Sequence, residues 1–127
     1  MNDSLRRDLV ARYIDAYNAF DIDGMLAPLA PDVRFENWAG GQMTASSEGI
    51  DAFRGLAEQA KGMFSQREQR IASLAAHGDG LLARIDWRGT LAVDIPDGPQ
   101  AGTELALSGE SEFGFAGGRI VRIVDRS

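Results

Sequence analysis

The chain contains no cysteine and a single histidine among its 127 residues. The first absence removes disulfides and thiol nucleophiles. The second leaves no basis for a histidine metal cluster or a serine–histidine–aspartate triad. Basic residues are outnumbered as well. With 13 Lys and Arg against 19 Asp and Glu, the net charge is −6 and the pI is near 4.7. Such a balance argues against nucleic acid, whose phosphates need a basic surface. No apolar run is long enough to span a bilayer, and the stretch from Met1 to Asp8 is polar with no apolar signal core. No membrane partner is expected, and the expected location is the cytoplasm. Phosphate-binding glycine motifs are missing too, because Gly40-Gly41 and Gly117-Gly118 are isolated pairs. Repeats, low-complexity tracts and linkers do not occur.

What remains is an ordinary apolar content of 44%, enough for one core, so residues 1–127 are read as one domain. Leu5, Leu9, Tyr13, Ala16, Tyr17 and Phe20 recur at helical spacing, and the pattern predicts a helix from Ser4 to Phe20 capped by Asp3 or Ser4. A second, short helix is expected over Asp21–Ala30, ended or bent by Pro28. A short strand follows at 33–38, then a loop of small residues from Ala39 to Ser47. The third helix is expected to start from Ser46 or Ser47 and to bury Ile50, Phe53, Leu56, Ala57, Ala60 and Phe64. From Gln66 onward the chain reads as four strands in hairpins, with Gly117-Gly118 as one tight turn and His77 as an exposed hinge residue. Helices followed by strands give an α+β domain, with helices on one face of an antiparallel sheet. If the sheet curves around them, the enclosed space is an open-mouthed cone suited to a small ligand.

The strand period of two assigns faces. Leu81, Ala83, Ile85, Trp87 and Leu91 share one side, and Leu82, Arg84, Asp86 and Arg88 the other. Arg84 and Asp86 lie about 7 Å apart along the strand, within pairing reach. Either that side is solvated, or it lines a cavity where acid and base act together. Asn37 is in phase with Val33 and Phe35 and should point inward, where an amide needs partners. Asp125 is in phase with Val121 and Ile123, which raises the prospect of a buried, perturbed acid. Tyr13 and Tyr17, one helical turn apart, are either core-edge residues or hydroxyls aimed into a pocket.

The segment Val10 to Met25, the Pro31-Asp32-Val33-Arg34-Phe35 step and the helix start Gly49 to Arg54 resemble the nuclear-transport-factor-2-like superfamily, in its SnoaL-like branch. The resemblance covers essentially the whole chain. It implies a cone-shaped, cystatin-like α+β fold with three N-terminal helices on a curved, mostly antiparallel sheet, and a homodimer through the outer sheet face. Activity varies widely within that superfamily. Against its ketosteroid isomerases, Tyr13 matches the first-helix tyrosine. Their general-base aspartate falls at Asn37, however, and their second oxyanion-hole aspartate at about Ser111. Four positions are similar to limonene epoxide hydrolase: Arg84 and Asp86 two apart, Asp125 after the Gly118-Arg119-Ile120 hairpin, and Asn37, while Phe35 stands where that branch has a tyrosine.

The implied chemistry is hydrolysis of a small apolar epoxide. Asp125 would be the base on a water held by Asn37, Asp86 the acid, and Arg84 the bridge between carboxylates, with no metal or cofactor. Tyr13, Tyr17, Met25, Phe35, Trp38, Phe53 and Phe113 are the residues expected to contact substrate. Isomerisation, cyclisation or dehydration of a polyketide- or steroid-like ligand is the second reading. A non-catalytic binding or dimerisation module is the third.

Overall fold

The computed structural model describes residues 1–127. The first helix, α1 (Asp3–Asn18), is capped by Asn2, whose side-chain oxygen accepts the Leu5 amide proton at 2.8 Å, and not by Asp3 or Ser4. Val10 and Ile14 join Leu9, Tyr13 and Ala16 on its buried side, while Leu5 stays 39% exposed. The helix closes with the paired bonds of a Schellman motif, Phe20 N–H to the Tyr17 carbonyl and Asp21 N–H to the Ala16 carbonyl. Phe20 holds the left-handed position of that motif, with φ 57°, where glycine is usual.

Asp21 caps α2 (Ile22–Leu26) through the Gly24 amide. This helix is shorter than the expected 21–30 span: Ala27 still has helical geometry, at φ −54° and ψ −42°, but Pro28 offers no N–H to carry the hydrogen-bond ladder further. The chain passes directly into β1 (Leu29–Ala39). The stretch expected as a loop is largely a strand, β2 (Gln42–Glu48), returned through Gly40 and Gly41 at φ 59° and 78°. Two successive positive φ values match the hand of a twisted hairpin. Gly117 and Gly118 make a similar turn at 59° and 77°. Then come α3 (Ile50–Lys61), which starts at Gly49 without a side-chain cap, and β3 (Phe64–His77). Phe64 therefore belongs to a strand rather than to the third helix. The chain ends with β4 (Gly80–Leu91), β5 (Glu104–Ala116) and β6 (Arg119–Arg126).

All six strands form one curved sheet in the order β2-β1-β6-β5-β4-β3. Every pairing is antiparallel except β1 with β6. The helices cover one face, so the architecture is the expected α+β cone, with one parallel seam between the second and third strands of the sheet. Leu29, Val33, Leu81, Phe113, Ile120 and Ile123 are almost fully enclosed beneath α1 and α2. The opposite face carries charge pairs. Glu112 meets His77 at 2.9 Å, Arg126 at 3.2 Å and Arg122 at 3.6 Å; burial raises its carboxyl, but the Arg126 hydrogen bond and the two guanidinium charges together outweigh that and hold it below the usual range. No helix is long and apolar enough to cross a membrane.

Phe113 carries the floor of the core, its ring meeting Tyr13 edge-on at 6.1 Å. Phe113→Ala is expected to lower unfolding free energy by about 3–5 kcal/mol in urea titrations. A loss below about 1 kcal/mol would show that the core does not depend on this ring.

Candidate functional site

Residues paired across neighbouring strands share a face, so register decides which side chains meet. One row of the sheet runs Ala45, Asn37, Asp125, Ser111, Ala83, Leu74. Asn37, Asp125 and Ser111 thus stand side by side on the helix-covered face. All three line a cavity of about 900 Å³ between the helices and the sheet. Tyr13, Tyr17, Met25, Phe35 and Phe53 complete the expected part of its wall. Phe35 meets Phe53 edge-on at 5.4 Å, and Phe64 meets Trp87 likewise at 5.2 Å, which gives the wall its aromatic character.

Four expected residues stand elsewhere. Arg84 pairs in register with Glu110 on the outward row, one residue out of phase with Ala83. It and Asp86 are exposed, no ion pair joins them, and Asp86 instead accepts from the Ser108 hydroxyl at 3.2 Å. The cavity lies against the apolar side of β4, so the alternation that grouped Arg84 with Asp86 also places both outside it. Trp38 shares the outward phase with Arg126, and its indole N–H donates to Glu36 at 2.8 Å. Phe113 is inward but lies wholly in the core beneath Tyr13, outside the cavity lining.

Asp125 is the electrostatic centre of the lining. Burial drives its carboxyl up to about 6, and only the Ser111 hydroxyl, donating at 2.6 Å, opposes that rise. Asn37 donates to the Thr44 hydroxyl at 2.8 Å, which leaves its side-chain carbonyl free to accept. Tyr13 is pushed well above the ordinary phenol value by burial first and by Asp125 second, so it stays a neutral donor. Tyr17 is raised by burial too. Its hydroxyl accepts from the Trp87 indole at 2.9 Å, keeping its own proton to give. Gly89 makes room for that indole, since a Cβ there would stand 2.8 Å from the ring.

Sequence reasoning missed Arg67. The residue is 6% exposed and lines the cavity from β3. Its guanidinium lies 3.8 Å from the Tyr17 ring centre and 4.6 Å from that of Phe20. The Nε–H donates to the Tyr17 carbonyl at 3.2 Å, while Nη2 is enclosed with no partner. Two irregularities flank the strand's inward phase, at Phe64/Gln66 and at Ile71/Ser73, and they hide the alternation of Arg67, Gln69 and Ile71 with Leu74. The usable signal was Arg67 standing two and four residues before Gln69 and Ile71. Ser111, which the resemblance had aligned to an oxyanion-hole aspartate, is the other residue left off the list.

A family model described as a SnoaL-like domain matches residues 10–123. Among solved structures, the chain is similar to a provisionally assigned polyketide cyclase from Xanthomonas campestris pv. campestris. Identity is 26% and the TM-score 0.83, over 100% of this chain and 93% of that one. A provisionally assigned SnoaL-like polyketide cyclase from Jannaschia sp. CCS1 is 16% identical with a TM-score of 0.80, over 96% and 84%. AclR, a provisionally assigned hydroxylase from Streptomyces galilaeus, is 18% identical with a TM-score of 0.76, over 98% and 89%. No curated protein matches the chain significantly.

A carboxyl raised on folding favours the protonated native state. Its stabilising effect is complete below the unfolded value of about 4 and is lost as pH rises through about 6. Asp125→Asn removes this dependence. The variant is expected to gain stability relative to the parent between pH 4 and pH 7.5, by on the order of 2 kcal/mol, in denaturation series across that range. A gap that stays constant with pH contradicts a desolvated carboxylate.

Proposed function

The chain belongs to the SnoaL-like domain family, and from that premise we propose that it catalyses proton transfer on an apolar carbonyl compound, of the isomerase or cyclase type. The supporting observation is the Asp125 carboxyl, desolvated to about 6 at the wall of an aromatic cavity with neutral phenols in the same lining. A base with that value is ionised at neutral pH yet strong enough to take a proton from carbon beside a carbonyl. The abstraction leaves charge on the carbonyl oxygen, and Tyr13 and Tyr17, both neutral, are available as donors to it. Phe35, Phe53 and Trp87 make that part of the wall apolar, and low polarity strengthens each of these contacts. Asp125 then returns the proton at a different carbon, or the enolate attacks a second carbonyl, closes a ring by a new carbon–carbon bond, and the alkoxide formed takes the proton back from Asp125. The provisional cyclase assignment of the Xanthomonas relative supports the same class.

Epoxide hydrolysis retains one specific observation. Asn37 and Asp125 are direct cross-strand neighbours and could hold a water between amide and carboxylate. That reading needs a proton donor for the ring oxygen. With Asp86 and Arg84 outside the cavity, the donor would have to be Tyr13 or Tyr17.

The two reactions separate cleanly. With 2-tetralone in heavy water, the enzyme is expected to accelerate deuterium entry beside the carbonyl, followed by NMR. Asp125→Asn should lose about 10²–10⁴-fold of that rate while keeping its circular dichroism. The rate should climb through about pH 6 and level off above it, and Ser111→Ala should move the climb to higher pH. An absence of exchange, together with singly labelled diol from apolar epoxides in heavy-oxygen water, would replace proton transfer with hydrolysis.

A further inference from the structure

We propose that the cavity takes an organic anion, an apolar fused-ring body bearing a carboxylate or an ionised enol, and that Arg67 pairs with the charged oxygens. This rests on the cavity being the ligand site and names the class of compound it accepts.

A buried guanidinium without a counter-ion is costly unless something completes it. Arg67 is buried at the cavity wall, and only its Nε–H has a protein acceptor. The enclosed Nη2 has none. The titratable neighbours that act on it are the Tyr17 and Tyr13 phenols, both neutral, and no carboxylate. Tyr17 and Phe20 offer their ring faces, which steady the cation and fix its plane without satisfying its hydrogen bonds. That clamp is maintained under strain. Phe20 occupies a left-handed position that a bulky residue adopts only at a cost, and its ring lies against Arg67. Strain of this kind persists where surrounding structure enforces it, and a guanidinium held flat at a cavity wall, with Nη1 neither bonded nor enclosed, suits charge-assisted pairing with a carboxylate or vinylogous acid.

Register supplies the size of the ligand. Arg67 belongs to the row of Gly89 and Leu105, and Asp125 to the row of Ser111. Leu105 and Ser111 are six positions apart on β5, which is about 20 Å of strand. The arginine side chain covers part of that span. Arg67 and Asp125 are also three strands apart in the sheet, so the cavity between cation and base has room for a multi-ring apolar body anchored at one end while the reacting carbon meets Asp125 at the other.

Calorimetric titrations compare each of two anions with its neutral methyl derivative: 2-naphthoate with methyl 2-naphthoate, and 2-hydroxy-1,4-naphthoquinone with its methyl ether. The wild-type chain is expected to bind at least one anion about tenfold more tightly than its neutral partner, and the stronger arm tells carboxylate from enol. Arg67→Met should abolish the preference, weakening the anion far more than its neutral derivative, and Arg67→Lys should retain part of it. Equal affinity for the anion and its neutral derivative in both pairs, failure of both anions to bind at millimolar concentration, or a preference that survives in Arg67→Met overturns the proposal. The wild-type comparison decides alone if Arg67→Met does not fold. Binding is read without turnover, so loss of deuterium exchange and loss of anion preference are independent outcomes.

Discussion

A carboxylate held in an apolar hollow by one hydroxyl and no cation is the interaction on which the site depends. Water stabilises an ionised aspartate through several donors, and here Ser111 alone remains. The resulting rise in basicity is a product of the fold. It requires Asp125 to be the inward residue of its strand, Ser111 to stand opposite on β5, and aromatic side chains to fill the surrounding wall. It also requires positive charge to be kept away. Arg122 and Arg126 are drawn instead to Glu112, although Arg126 also reaches the cavity lining. The one buried cation, Arg67, is set several rows along the strands. Were a guanidinium placed beside Asp125, the carboxylate would be easier to ionise and a weaker base.

The sheet therefore sorts charge by parity. Its outer face tolerates many exposed ion pairs, each of small worth. Its inner face carries two ionisable groups, one acidic and one basic, at separate positions in a single cavity. Tyr13 and Tyr17 feel both of them, raised by Asp125 and lowered by Arg67. A cavity polarised in this way orients a ligand that has an anionic end and an apolar body, before any chemistry occurs.

Much of this was legible in the chain. Asp125 shared phase with Ile123, and Asn37 with Phe35, and both proved inward because a strand that buries one face fixes the orientation of every residue on it. The same rule, followed strictly, places Arg84, Asp86 and Trp38 outside. Motif spacing suggested otherwise for the pair, because an Arg-x-Asp separation has the same length whichever face it occupies. The hairpin at Gly117-Gly118 was readable since strong apolar strands flank it. Its counterpart at Gly40-Gly41 was not, because β2 is a polar edge strand whose identity comes from pairing with β1. Arg67 was hidden by irregular pairing in β3, and the left-handed turn at Phe20 by the lack of any glycine to announce it.

The most direct measurement is a titration of the Asp125 side-chain carboxyl by carbon-13 NMR, assigned with Asp125→Asn. A midpoint near 6, moving upward in Ser111→Ala, is the result this account predicts. A midpoint at or below about 4, the ordinary aspartate value, would contradict it, because a carboxylate that ionises as it does in water is not the desolvated base on which the proposed reaction rests.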